Sequence, residues 1–257
     1  MRAARQTWQF SLRGLRTFRR QPAYLAISLV QPVIWLLLFG ALFRRIVDIP
    51  GFHGGSYVEF LTPGVIVMLA IGSAGWSGMA FVDDIEGGVM DRLLVSPMWR
   101  GAPNLGVVVG QMIVIAVQTA IVIGLALAAG AHFRNGVLGV ALLIGFAVLL
   151  SACVASLSNG LAVLTHQRET LIGAVTMVTL PLTFLSSALM QRNLMPGWIG
   201  WIARFNPVNW AVEAERSAAI QHTDWSLVAS RAGLLALLLV VSAGFATRAF
   251  RSYQRSI

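Results

Sequence analysis

The sequence predicts an all-α integral membrane protein, and three observations carry that prediction. Of its 257 residues, 57% are hydrophobic and only 11% are charged, and the mean hydropathy is +0.75. A soluble domain carries about 25% charged residues, so this chain lacks the polar side chains to cover a water-facing surface. Six apolar runs are each long enough to cross a hydrocarbon core of about 30 Å as a helix of roughly 20 residues. None of them shows the period-two alternation of a β-barrel wall.

The runs fall at about 24–43, 64–82, 105–131, 137–164, 171–189 and 227–245. No repeat and no low-complexity linker divides them. The expected organisation is a basic segment at 1–22, one membrane domain at 23–250 and a short tail at 251–257. The first segment carries Arg2, Arg5, Arg13, Arg16, Arg19 and Arg20 and no acid. The C-terminal end, past the sixth run, carries Arg248, Arg251 and Arg255. With an even number of spans both ends share a side, and the arginine excess places that side in the cytoplasm. Arg44 and Arg45 oppose this orientation and are outnumbered. Trp8, Leu12 and Leu15 recur at helical spacing with arginines on the other face, the pattern of a helix lying in the membrane interface. A solvated basic tail is the alternative. A charged region this long, followed by a run long enough to span, is not a cleavable leader.

All 19 basic residues are arginine. A P-loop needs a lysine to reach nucleotide phosphates, so this chain does not hydrolyse ATP by that route. Schiff-base chemistry is excluded for the same reason. The basic residues lie between apolar runs and not on one open face, which argues for membrane topology over nucleic-acid binding. Cys153 is alone in an apolar run and reads as a packed hydrophobe. No span centre carries an acid or base, which disfavours an ion-coupled carrier and suits a large, lipid-like or apolar substrate.

Pro32 and Pro181 should kink the first and fifth runs. The second run is rich in small residues, Gly72, Gly75, Ser77 and Gly78 among them, which let helices approach closely; a substrate-lining role is the alternative to plain helix packing. Gly75-Trp76-Ser77-Gly78 also matches the G-x-S-G around the nucleophile of rhomboid intramembrane proteases, which have six spans too. A nucleophilic Ser77 would need a histidine base in reach. His53, His132, His166 and His222 all fall in loops or near span ends, which weighs against that alternative. They form no metal-ligand spacing with Cys153 or the acids.

Two segments between runs carry more information. After the second run, Asp83, Asp84, Glu86 and Asp91 sit where the arginine count puts the cytoplasm. From Glu86 onward, Val89, Met90, Leu93 and Leu94 recur at helical spacing, Asp91, Arg92 and Ser96 take the other face, and Pro97 stops the pattern. A short amphipathic surface helix is expected. Before the sixth run, Trp198, Trp201, Phe205 and Trp210 crowd a stretch broken by Pro196, Gly197, Asn206 and Pro207. It is too apolar for a free loop and too broken for a span. Two short helices in the outer leaflet, turned at Asn206-Pro207, fit it, with aromatic rings at headgroup level; an ordinary packed loop is the alternative.

Together these residues resemble the permease subunit of type-2 ABC exporters. The family pattern after the second span is an acid-rich stretch, a glycine and a short helix ending in L-L-x-x-P, matched here by Glu86, Gly88, Arg92, Leu93, Leu94 and Pro97. Before the last span it is P-G-W, N-P and an A-x-R ending, matched by Pro196-Gly197-Trp198, Asn206-Pro207, and Ala214 with Arg216. The layout is most similar to daunorubicin-type drug exporter permeases and nodulation-type lipo-oligosaccharide permeases. Gly87 departs from the family's usual charged or hydroxyl residue, and Glu215 from its usual apolar one.

The resemblance implies a six-span permease without catalytic, cofactor or metal sites of its own. It implies two copies of a separate ATPase subunit holding Mg-ATP, a second permease, membrane lipid as surroundings and a bacterial cytoplasmic membrane. Glu86, Gly88, Val89, Met90, Asp91, Arg92, Leu93, Leu94 and Pro97 would form the helix that couples to the ATPase. Pro196, Gly197, Trp198, Trp201, Asn206, Pro207 and Arg216 would form the outer re-entrant loop, and Gly72, Gly75, Ser77 and Gly78 a dimer or pathway face. Such a complex would export an amphipathic drug, a lipid or a lipid-linked glycan by alternating access, or serve as a sensor or resistance module without net transport.

Overall fold

A computed structural model describes residues 7, 22–45, 56–88, 102–220 and 223–256, and among these every regular element is helical. The first apolar run forms α1 (Pro22–Ile34), a π-helical stretch at Trp35–Phe39 and one last turn at Gly40–Leu42. The π stretch begins three residues after Pro32, whose ring and missing N–H disturb the regular ladder. The second run becomes α2 (Tyr57–Gly75), a 3-10 turn at Trp76–Gly78 and α3 (Met79–Glu86). It starts well before residue 64. Ser56 and Glu59 form a capping box: the Ser56 hydroxyl accepts from the Glu59 amide at 3.2 Å, and the Glu59 carboxylate accepts from the Ser56 amide at 3.3 Å. Two orphan amides of the first turn are thereby satisfied.

The next helices are α4 (Ala102–Ala128), α5 (Gly136–Thr165) and α6 (Arg168–Phe184). Two short helices follow, α7 (Gly197–Ala203) and α8 (Pro207–Ala219), and then the long α9 (Trp225–Ser256). The Asp224 carboxylate caps α9 by accepting from the amides of Ser226 and Leu227 at 3.0 and 3.1 Å. Among the described residues, four stretches are long and apolar enough to cross a membrane: Tyr57–Glu86, Ala102–Ala128, Gly136–Thr165 and Trp225–Tyr253. The first and fifth runs are shorter helices; α6 has 17 residues and ends at Phe184, not near 189.

Helix α5 is the hub, packed against α4, α9, α8 and the α2–α3 segment. Its buried face is built from small residues, Ala147, Ser151, Ala152, Ala155, Ser158 and Ala162, which let neighbours come close. Near the Glu86 end, Phe81, Val82, Val163, Leu171 and Phe250 close the core, with Phe81 and Phe250 edge to face at 5.1 Å. The α5–α6 link is two residues long and turns at His166 in the left-handed region, φ 55°. By contrast, α6 buries only Leu171 and Thr183.

The basic segment holding Trp8, Leu12 and Leu15, His53, His222, and Val89, Met90, Asp91, Arg92, Leu93, Leu94 and Pro97 lie outside the described residues.

Candidate functional site

A groove of about 400 Å³ opens between α1, α2 and α6. Ile27 and Pro32 line it from α1, Trp35 from the π-helical stretch that follows, Val65, Leu69 and Gly72 from α2, and Thr179, Thr183 and Phe184 from α6. Its polar groups are hydroxyls and amides, from Ser28, Gln31, Ser73 and the threonines, and none of its lining residues is charged. Ser28 and Ser73 are oriented from behind: the side-chain amides of Gln118 and Gln111 on α4 donate to their hydroxyls at 2.7 and 2.8 Å. An apolar surface with a few fixed polar groups is how ligand sites are usually built.

Gly72, Gly75, Ser77 and Gly78 do not share one face. At Gly72 an added Cβ would meet nothing within 4 Å, and Gly72 lines the groove. At Gly75 it would lie 2.7 Å from Val175 of α6, and at Gly78 2.5 Å from the Ser158 carbonyl of α5. These two glycines are packing contacts within the chain. The Ser158 hydroxyl braces the 3-10 turn, donating to the Gly75 carbonyl and accepting from the Gly78 amide. Both are groups that the broken α-helical ladder would leave short of partners.

Ser77 turns into the interior. Its hydroxyl donates to the Asn159 side-chain oxygen at 2.9 Å, and the Asn159 amide donates to Asn104 at 2.8 Å. The described histidines are elsewhere: His132 precedes α5 and His166 follows it. With its hydroxyl held by an amide oxygen and no imidazole beside it among the described residues, Ser77 is a structural seam residue between α2, α5 and α4, and the protease alternative is not favoured.

At the opposite end from Glu86, two short helices do form around Asn206-Pro207. Asn206 does two tasks. Its side-chain oxygen accepts from the Val208 amide and caps α8, with Pro207 in the first turn. Its side-chain amide donates to the carbonyls of Leu182 and Leu185 at 2.7 and 2.9 Å, satisfying the last turn of α6. The chain then turns at Ser186–Ala188, where the Ser187 amide donates to Asn209 at 3.0 Å. This explains why α6 stops inside an apolar run.

The two helices differ in burial. Trp198 and Trp201 of α7 are 61% and 64% exposed, as is the Phe205 ring that meets Trp201 edge to face. Helix α8 is largely buried against α5, α9 and α2. Its Arg216 is enclosed: Nη2 donates to the Ala188 carbonyl at 2.9 Å, Nε to the Phe60 carbonyl at 3.4 Å, and the guanidinium lies 3.7 Å over the Phe60 ring. One cation thus joins α8, α2 and the turn after α6. Glu215 beside it is fully buried with neither carboxylate oxygen hydrogen-bonded. Burial pushes its carboxyl well above the ordinary range, against the opposing field of Arg216. Glu213 faces the rim and binds Arg192 at 3.2 Å and Arg231 at 2.8 Å.

At the other end, α3 stops at Gly87 and Gly88, whose amides donate to the Asp83 and Ile85 carbonyls. Gly88 has φ +64°, a conformation glycine adopts without strain. Glu86 is paired within the chain. The Arg168 guanidinium, on the first residue of α6, donates to both of its oxygens at 2.7–3.2 Å, and also contacts Asp83 at 2.6 Å.

Arg168, Asn159, Asn104, Gln111 and Gln118 belong to no local sequence motif. Polar residues inside apolar runs were the available signal, since such groups must find partners.

Residues 5–220 match the family model described as ABC-2 type transporter. The daunorubicin resistance ABC transporter permease protein DrrB1 of Streptomyces coeruleorubidus is 30% identical, over 94% of this chain and 83% of its own. The putative transport permease ycf38 of Porphyra purpurea is 30% identical, over 82% of this chain and 72% of its own. The probable doxorubicin resistance ABC transporter permease protein DrrC of Mycobacterium tuberculosis is 24% identical, over 75% and 69%. The chain belongs to the ABC-2 type transporter family, as a non-catalytic multi-pass membrane subunit of the kind whose ATPase is a separate chain.

Proposed function

We propose that this chain is the permease of an ATP-driven exporter that moves an amphipathic drug, a lipid or a lipid-linked glycan outward across a bacterial cytoplasmic membrane. The observation that carries the proposal is the uncharged groove between α1, α2 and α6, with Trp35 and Trp76 beside hydroxyl and amide groups. Such a lining accommodates an apolar body and orients a few polar substituents. The relatives named for daunorubicin and doxorubicin resistance support a planar amphipathic drug as the first substrate to try. The first and fifth helices complete six spans, and both termini and the Glu86 end face the cytoplasm. Two ATPase subunits holding Mg-ATP dock there through the segment from Glu86 to Pro97. A second permease covers the exposed apolar face that includes Ile27, Leu38, Met177 and Phe184. Closure of the ATPases drives rigid-body alternating access at that interface.

Purification of the tagged chain in mild detergent, with mass spectrometry of what accompanies it, tests the proposal. A co-purifying ATPase with a Walker lysine, stimulated by daunorubicin in proteoliposomes, is the expected result. A chain that repeatedly purifies alone would overturn it.

A further inference from the structure

The acidic end of α3 and the start of α6 meet at one guanidinium. Arg168 binds Glu86 through both Nε and Nη2 and reaches Asp83 one helical turn back, so three charged groups close over the same point. All three are about half exposed, and exposed ion pairs add little to stability. Their placement is more informative than their strength. Upstream of them α3 is firmly built into the core through Phe81 and Val82. Helix α6 is held less: Leu171 joins the same core with Val175 packed against it, Thr183 is its other buried residue, and its far end is held by Asn206. Yet α6 is one wall of the groove, through Thr179, Leu180, Thr183 and Phe184. A lightly packed helix gripped at its terminus by a fork of hydrogen bonds moves with whatever moves that fork.

We propose that Arg168 is a positioning residue for transport, which couples the segment after the second span to the α6 wall of the groove through its bidentate contact with Glu86 and its contact with Asp83. This rests on the exporter reading above. It also assigns the acids at the start of that segment an intramolecular role: Asp83 and Glu86 hold α6. Displacement of the α3 end carries Asp83 and Glu86, Arg168 follows, and α6 tilts about its Asn206-capped end.

The test uses the permease with its co-purified ATPase in proteoliposomes and a cysteine at Leu180. Cys153 is buried with its thiol donating to the Leu235 carbonyl, so a maleimide dye reports on the new thiol. In the Leu180→Cys parent, trapping with ATP and vanadate should change the labelling rate by about fivefold or more, the low end of ordinary coupling between sites. Arg168→Glu should abolish that change while the ATPase still co-purifies. Arg168→Lys, which keeps charge without the planar fork, should retain part of it. Combining Asp83→Asn, Glu86→Arg and Arg168→Glu should restore it. A full nucleotide response in Arg168→Glu would overturn the latch alone. A parent that never responds to nucleotide would overturn the latch and the exporter reading together.

Discussion

The Arg216 guanidinium lies 3.7 Å above the Phe60 ring, and Phe60 also supplies a carbonyl to the same cation. A residue 156 positions away in sequence is held by both its ring and its backbone. Arg216→Gln should lower stability by on the order of 3 kcal/mol, since it leaves buried carbonyls short of donors. Arg216→Lys should fall between, because an ammonium cannot stack and fork at once. Thermal unfolding in detergent measures both; an unchanged Tm in Arg216→Gln would remove Arg216 from the structural account.

Asn206 separates two tasks by chemistry. Asn206→Asp keeps the acceptor that caps α8 but replaces the donor to Leu182 and Leu185 with a second oxygen. Asn206→Ala loses both functions. The expected order of Tm is wild type, then Asp and Ala well below it, with the donor loss costing on the order of 2 kcal/mol. Equal stability of the Asp variant and wild type would show that the α6 carbonyls find other donors.

Gly78 and Gly72 should respond oppositely to alanine. At Gly78 the new Cβ meets the Ser158 backbone at 2.5 Å, so Gly78→Ala should cost roughly 1–3 kcal/mol. At Gly72 it meets nothing within 4 Å, and Gly72→Ala should leave Tm unchanged. A destabilised Gly72→Ala would mean that the groove is narrower than described.

Glu215 sets a pH dependence. Its folded-state pKa is raised by burial, so the native state holds a proton that the unfolded chain has already released. That contribution to stability is complete below the ordinary glutamate range of about 4.3 and declines as pH rises towards the raised value. Glu215→Gln removes the decline. It should match or exceed wild-type Tm at pH 7.5 and show a flatter profile from pH 5 upward; a steeper profile would reverse the assignment.

Trp198 and Trp201 present exposed rings beside α8. Replacing both with alanine should impair drug efflux from cells while leaving ATPase co-purification intact. Loss of the ATPase instead would place these rings at the cytoplasmic end.

The third and fourth helices were legible in the sequence because hydropathy alone fixes a long buried or lipid-facing helix; the sixth was legible in its apolar part, but it runs on to Ser256 through the arginine-bearing end, where hydropathy gives no signal. The start of the second was not, although Ser56 and Glu59 carried a capping-box signal that a hydropathy window averages away. The end of α6 could not be read locally: Leu182 and Leu185 look like any span residues, and the group that stops them, Asn206, lies over 20 positions on. The small-residue stretch was legible as close packing, but which glycine meets α5, which meets α6 and which meets the groove depends on the 3-10 turn between them. The Arg168–Glu86 pair joins positions 82 apart, a distance at which charge pattern carries no pairing information.

The 3-10 turn at Trp76–Gly78 has an angular meaning. An α-helical residue advances by 100° and a 3-10 residue by 120°, so three of them overwind the second span by about 60°. That phase shift sets the compass bearing of everything beyond it. Asp83 and Glu86 point at α6 instead of a sixth of a turn away because Ser158 clamps the overwound stretch at both ends. A substitution that relaxed the turn to ordinary α-helix would leave every residue of α3 helical and apolar in the same places, and aim its acids at the wrong neighbour.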